Sequence, residues 1–193
     1  MAQYQTFENG ITTSAISPFM QGGFIASKQK TTILNKYGID HLEEGKDYDL
    51  QNFLNAFKEL GENVGEMNLF LIGKSVMSET EFPPMDGLES ALRSIDVAYH
   101  MNHKKNGKAM FDPNTGVMTE GIGHFELVRF DGVNKEAIMV CHTPYPSKFE
   151  EGIILQIARQ FKPEGSLMPK VQLDTTKETR KNGGDRCTFI ITW

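Results

Sequence analysis

The spacing of apolar residues changes once along this chain, and that change limits the folds open to it. Before Asn106-Gly107 they recur three and four apart, as in Leu50, Phe53, Leu54, Phe57 and Leu60, and again in Leu88, Ala91, Leu92, Ile95, Ala98 and Tyr99. That is the signature of helices with one buried stripe. At the end of the chain Cys187, Phe189, Ile191 and Trp193 alternate with Thr188, Ile190 and Thr192, the period of a strand. Helices in front and strands behind predict an α+β domain: an N-terminal helical half packed on a C-terminal antiparallel sheet with one inserted helix.

The punctuation residues sharpen this outline. Residues 1–20 read as a polar, irregular N-terminal arm, and 21–193 as a single domain. Gly22-Gly23 precede a helix running from Phe24 toward Tyr37, and Asp40–Asp49 is an acidic loop. Asp49 caps the helix that Gly61 and Gly65 close, and Met67–Met77 is a further, well-buried helix. Asp86-Gly87-Leu88-Glu89 reads as a capping box, with Asn106-Gly107 stopping the helix behind it. Gly123–Phe130 and Lys135–His142 are strands joined at Asp131-Gly132. Ser147 to Glu150 reads as a second capping box, opening a helix with Phe149, Ile153, Ile154, Ile157, Ala158 and Phe161 on one face. Val171 and Leu173 mark a short strand, and Asn182-Gly183-Gly184-Asp185 is a tight turn into the last one.

Composition excludes several function classes. A formal net charge of −5 and a pI near 5.6 leave no basic excess for gripping phosphate backbones, so no nucleic-acid partner is expected. Lys104, Lys105 and Lys108 read as a solvated helix end. The two cysteines, Cys141 and Cys187, form no CxxC pair, which suits a reducing, cytoplasmic setting. The start of the chain lacks a basic, then apolar, leader, and Leu69–Ile72 and Ile138–Cys141 are far too short to span a membrane.

Three stretches carry a resemblance: SIDVAYHMNH at 94–103, HTPYPSKFEEGII at 142–154 and TRKNGGDRCTFIITW at 179–193. Together they resemble the 4-vinyl-reductase-type domain, whose fold is shared with haem–nitric-oxide-binding (H-NOX) sensors and with transport-particle subunits of the Golgi pathway. The resemblance covers roughly residue 20 to the end; the Pro-Tyr-Pro turn and the Gly-Gly-Asp-x-Cys strand entry are its most specific pieces. It implies a sensory, ligand-binding or scaffolding domain and no enzyme. Relatives often carry cysteines where Ser147 and Thr179 stand, so a cysteine metal or redox site of that kind is not expected here.

The resemblance also implies a reading of the histidines. H-NOX domains place their proximal haem histidine near the end of the helix before the sheet, where His100 and His103 lie. Twelve residues separate His100 from Pro113, matching the H-NOX spacing of histidine and haem-distorting proline. The Tyr-x-Ser-x-Arg triplet that clamps haem propionates is missing, since the corresponding stretch runs Val140-Cys141-His142-Thr143-Pro144-Tyr145. Buried carboxylates need cationic partners. The helical stripe itself puts His100 round toward solvent beside Asp96, an i, i+4 surface pair, and His103 at the stripe's edge.

Other chemistry is thinly represented. Cys141, His142, His124 and Cys187 fall on or beside strands but share no metal-ligand spacing, and buried thiols behave as small hydrophobes. Neither a nucleophile elbow nor a phosphate-binding loop occurs, and Glu150 and Glu151 begin a helix where carboxylates suit the dipole. Ten methionines and thirteen phenylalanines suit an adaptable apolar pocket. The expected lining is Phe70, Tyr99, Met101, Phe111, Met118 and Tyr145, with His100 and His103 beside it.

Three functional readings follow. The first is a cytoplasmic sensory or regulatory domain holding a small, largely apolar ligand between the helical and sheet halves. The second is a haem-dependent gas sensor with a histidine axial ligand, and the third a structural or protein-interaction subunit without ligand. No cyclase, kinase or DNA-binding helix pair is legible in the sequence, so output is expected through a protein partner or a homodimer.

Overall fold

In the computed structural model, residues 3–14, 27–40, 43, 45–78, 80 and 82–193 are described, with the backbone alone at Ser27 and Lys28. Helix α1 (Ser27–Lys36) matches the later part of the first expected helix, whose start at Phe24 falls outside the described residues. Helix α2 (Leu50–Val64) begins as its sequence dictates: Asp49 accepts a hydrogen bond from the Asn52 amide at 2.8 Å, satisfying one orphan donor of the first turn. Its stripe of Leu50, Phe53, Leu54, Phe57 and Leu60 is buried. Gly61 continues the helix, and Gly65, at φ 92°, ends it. Helices α3 (Glu66–Ser78) and α4 (Leu88–Met101) follow, and α5 (Ser147–Gln160) is inserted later between strands.

Helices α3 and α5 meet at a pair of glycines. A Cβ on Gly73 would stand 2.1 Å from the Phe149 carbonyl oxygen, and one on Gly152 would stand 2.1 Å from that of Phe70. The backbones can therefore approach only because both residues lack side chains. This contact joins the front half to the back.

The main sheet contains strands β7 (Phe125–Asp131), β8 (Glu136–Cys141), β9 (Lys170–Leu173) and β10 (Cys187–Thr192). Its order is β7-β8-β10-β9, antiparallel throughout. Register sets Phe189 opposite Met139 on one side and Leu173 on the other, and Cys187 opposite Cys141. One face therefore collects Phe125, Leu127, Ala137, Met139, Cys141, Cys187, Phe189 and Ile191, all buried. They join the buried stripes of the helices in one hydrophobic core, the α+β arrangement that the change of period predicts. Trp193 stacks on Phe130 at 5.2 Å and closes the sheet end.

Several local expectations are corrected. Ile11–Ser14, within the expected irregular arm, forms strand β1, and Asp47–Asp49, within the expected loop, forms β2. The helix expected to run to Asn106-Gly107 stops at Met101, and His103–Lys105 (β3) and Lys108–Ala109 (β4) form a hairpin instead. Asn106 and Gly107 have φ of 52° and 77°, the two left-handed residues of a tight hairpin turn. Asn-Gly is thus a hairpin signal here, and the lysines beside it lie on strands. These four strands form a second sheet, in the order β2-β1-β3-β4, and Phe111–Asp112 (β5) pairs with Val117–Met118 (β6).

Neither expected capping box forms. Gly87 occupies the cap of α4 without a side-chain bond, and Pro146 that of α5. Glu150 turns into the interior, where Thr143 Oγ1 donates to it at 2.6 Å and the Arg180 guanidinium lies against it. Arg180 comes from a 3₁₀ turn (Arg180–Asn182) with Gly183 left-handed behind it, so part of the expected tight turn is helical. Arg180 also donates to the Cys141 carbonyl at 2.5 Å and the Tyr145 carbonyl at 3.0 Å. Burial pushes the Glu150 carboxyl up while Arg180 pulls against that shift.

Candidate ligand cavity

A cavity of about 200 Å³ lies where the two halves meet. Helix α2 contributes Phe53 and Phe57, α3 contributes Val76 and Met77, α4 contributes Ile95, Ala98 and Tyr99, and α5 contributes Phe149 and Ile153. Phe125 of β7 completes the apolar wall. Polar groups gather where β1 meets β3: Thr13 and Ser14 of β1, Asn102, His103 of β3 and Tyr145 of the Pro-Tyr-Pro turn; Thr80, just past the end of α3, is a further polar lining residue. An apolar chamber with a few convergent polar groups is the usual composition of a small-molecule site.

The polar side is built on His103. Its Nδ1–H donates to the Tyr99 carbonyl at 2.7 Å, the i−4 bond available to a residue just past a helix end. That tautomer makes Nε2 an acceptor, and the Tyr145 hydroxyl donates to it at 2.9 Å. Thr13 Oγ1 lies 3.5 Å from the same phenol oxygen. Burial holds the His103 pKa down at about 4, so the imidazole is neutral. Tyr145 stacks on Phe149 at 5.3 Å, meets Phe57 edge-on at 5.9 Å, and has its phenol pushed up by burial. The Tyr99 hydroxyl donates to the Ile122 carbonyl at 2.8 Å.

Three of the eight residues expected from sequence, Tyr99, His103 and Tyr145, come together in this lining. Phe70 packs at the core's edge, Met101 is exposed, and Phe111 and Met118 face each other across the β5–β6 pair. His100 departs most from expectation. The i, i+4 pair with Asp96 forms, with His100 Nδ1 3.5 Å from Asp96 Oδ1, but His100 is fully buried and not at the surface. Helix α4 turns it away from the cavity lining and onto His124, with ring centroids 4.9 Å apart. Strand β7 and the loop before it cover a second face of α4, which the helix's apolar stripe does not mark. Phe53, Phe57, Ile95 and Phe149 were legible as core, but nothing in their spacing separates core from cavity wall. The cysteine–histidine grouping does not assemble: His124 bonds to Asp96 and Glu120, while Cys141 and Cys187 are buried with thiols pushed up by burial.

No protein-family model matches the chain, and no curated protein does. Solved structures do. An H-NOX protein from K. algicida, Fe(II) unliganded, matches with a TM-score of 0.56 at 16% identity, covering 91% of this chain and 92% of that one. An H-NOX protein from S. oneidensis in the Fe(II)NO ligation state matches at 0.54 and 13%, covering 86% and 89%. A structure described under heme redox potential and protein-induced porphyrin distortion matches at 0.54 and 15%, covering 88% and 92%. At these identities the likeness is one of architecture: the chain has an H-NOX-like α+β fold.

Proposed function

We propose that this chain is a non-catalytic sensory or regulatory domain that binds a small, largely apolar molecule in the cavity between its helical and sheet halves. The observation that carries this reading is the chamber itself, about 200 Å³ with aromatic and aliphatic walls and one polar side. A dry apolar cavity of about 150 Å³ takes a benzene-sized molecule, so the expected ligand is a small ring or short branched chain carrying one polar group. That group would meet Asn102, Thr13 and the Tyr145 hydroxyl. The absence of catalysis is part of the proposal: the phenols and imidazole on the lining are hydrogen-bonded to one another or to backbone, and burial pushes Tyr99 and Tyr145 away from ionisation. Output would pass to a protein partner or a second copy of the chain.

Haem is the ligand that the fold neighbours bring forward, and the residues present do not fit it. His103, the histidine on the lining, has both ring nitrogens engaged, and His100 is turned off the lining onto His124. The cavity is smaller than the roughly 300–1,000 Å³ of pockets for larger ligands. Among the described residues its lining holds no arginine or lysine to meet propionates, and the nearby Arg180 is committed to Glu150 and two carbonyls. Haem added to the purified chain should therefore give no Soret band of a histidine-ligated iron. A panel of small aromatic and branched aliphatic alcohols should raise the melting temperature of the native chain. The reading fails if no member of the panel does so, and haem replaces it if a Soret band appears and is lost in His100→Ala or in His103→Ala.

A further inference from the structure

We propose that Asp96, His100 and His124 form a binding site for one divalent transition-metal ion, on the side of α4 away from the cavity. One donor atom from each lies within 4.8 Å of the others, the one such group of three among the described residues. Two imidazoles and a carboxylate suit zinc-class ions, whose catalytic and open sites use this mixed nitrogen and oxygen set, and disfavour magnesium or calcium, which prefer oxygen alone. The remaining positions would be taken by water.

Asp96 and His124 are already held as metal ligands are. The Phe125 amide donates to Asp96 Oδ1 at 2.9 Å, fixing the carboxylate. His124 places Nδ1 2.9 Å from Asp96 Oδ2, while Glu120 holds its Nε2 from 3.2 Å. A carboxylate on the far ring nitrogen is the usual outer partner of a metal-bound histidine. His100 Nδ1–H donates to the Asp96 carbonyl at 2.9 Å, which fixes its ring as well.

Ion pairs account for His124 with Asp96 and Glu120 and bring His100 Nδ1 within 3.5 Å of Asp96 Oδ1, but they leave the other nitrogen of His100 unexplained. That ring is fully buried, in face contact with His124, and its Nε2 has no hydrogen-bond partner. Burying a polar nitrogen unsatisfied is unfavourable, and a cation held by the cluster gives the histidine pair a role the protein-only contacts leave unfilled. On binding, the ion takes the place of the proton shared by His124 and Asp96, which leaves to solvent. The entrance is open, since His124 is a quarter exposed and Glu120 largely so.

This proposal is independent of the cavity reading. The test is titration of the chelator-stripped full chain with Zn²⁺ by calorimetry in two buffers of different ionisation enthalpy, repeated with Co²⁺ by absorption. One ion per chain is expected, with proton release and no thiolate-to-cobalt band. Affinity should fall at least about tenfold in His124→Gln and in Asp96→Asn and stay unchanged in His142→Gln. Imidazole ¹⁵N spectra of the wild-type chain, which need no variant to fold, should shift on Zn²⁺ addition at His100 and His124 among the five histidines. Absence of saturable binding, binding indifferent to His124→Gln and Asp96→Asn, or shifts confined to other histidines would overturn the site.

Discussion

The hydroxyl of Tyr145, carried by the turn that opens the back half of the molecule, donates to Nε2 of His103, carried at the end of the front half, across 2.9 Å. Forty-two positions separate them in sequence, yet this bond and the His103–Tyr99 bond behind it leave neither ring nitrogen of a fully buried imidazole unsatisfied. It forms the polar side of the cavity and ties the two halves together.

Removing the phenol oxygen tests that role. Tyr145→Phe leaves His103 Nε2 without a donor in a buried setting, at a cost of about 1–3 kcal/mol. For a chain of this length the melting temperature should drop by about 2–12 °C, since each kcal/mol is worth about 2–4 °C. Differential scanning calorimetry reads this directly. A variant as stable as the parent would mean that the bond contributes nothing.

The same histidine makes stability depend on pH. Its pKa lies near 4 in the folded chain against 6.5 for the free group, because burial disfavours the charged ring. Between those values the unfolded chain binds the extra proton, so this contribution is complete above pH 6.5 and is lost as pH falls toward 4. The loss is about 3 kcal/mol, from 1.36 kcal/mol for each unit of difference. Urea melts at pH 7, 6, 5 and 4 should show it, and His103→Gln should flatten the profile over that window. A parallel profile in the variant would contradict the assignment.

At the α3–α5 crossing, Gly152→Ala and Gly73→Ala each push a methyl group into a carbonyl oxygen that no rotamer change can move. Overpacking costs typically about 1–3 kcal/mol and sometimes more, while alanine's better helix propensity returns about 1 kcal/mol. A net loss of up to about 2 kcal/mol is expected from each in denaturant melts. Stabilisation by either substitution would show that the helices are not in this contact.

Glu150 and Arg180 are both fully buried in their side chains and lean on one another. Arg180→Met or Glu150→Leu alone leaves one charge without its partner and should destabilise by about 3–5 kcal/mol. The double variant Glu150→Leu/Arg180→Met should recover much of that loss, and a double-mutant cycle in chemical denaturation measures the coupling. Additive losses would deny the pairing.

How far the sequence reveals all this follows from which forces act locally. The stripes of α2 and α4, the Asp49 cap, the β7–β8 hairpin and the alternation of β10 are short-range patterns, and the structure keeps them. Strand β1 was hidden because Ile11–Ser14 is too short to show a period and is held by partners near residues 47–49 and 103–105. Asn106-Gly107 carries the same local signal for a helix stop and for a hairpin, and only the pairing of Lys104 with Ala109 decides between them. The Gly73–Gly152 contact, the Arg180–Glu150 pair and the burial of His100 are meetings of distant segments. Tyr99, His103 and Tyr145 were reachable because each sits at a punctuation point, a helix end or a proline turn. Phe53 and Phe149 were not, because cavity walls and core use the same residues.

The most direct measurement of the central claim is native mass spectrometry of the chain purified from its own cells, beside an Ala98→Phe variant that fills the chamber from α4 while leaving the polar side intact. The account predicts one small organic molecule retained per wild-type chain and none in the folded variant. A wild-type chain that arrives empty and also fails to take up any small apolar molecule, or a variant that retains the same adduct, would contradict it.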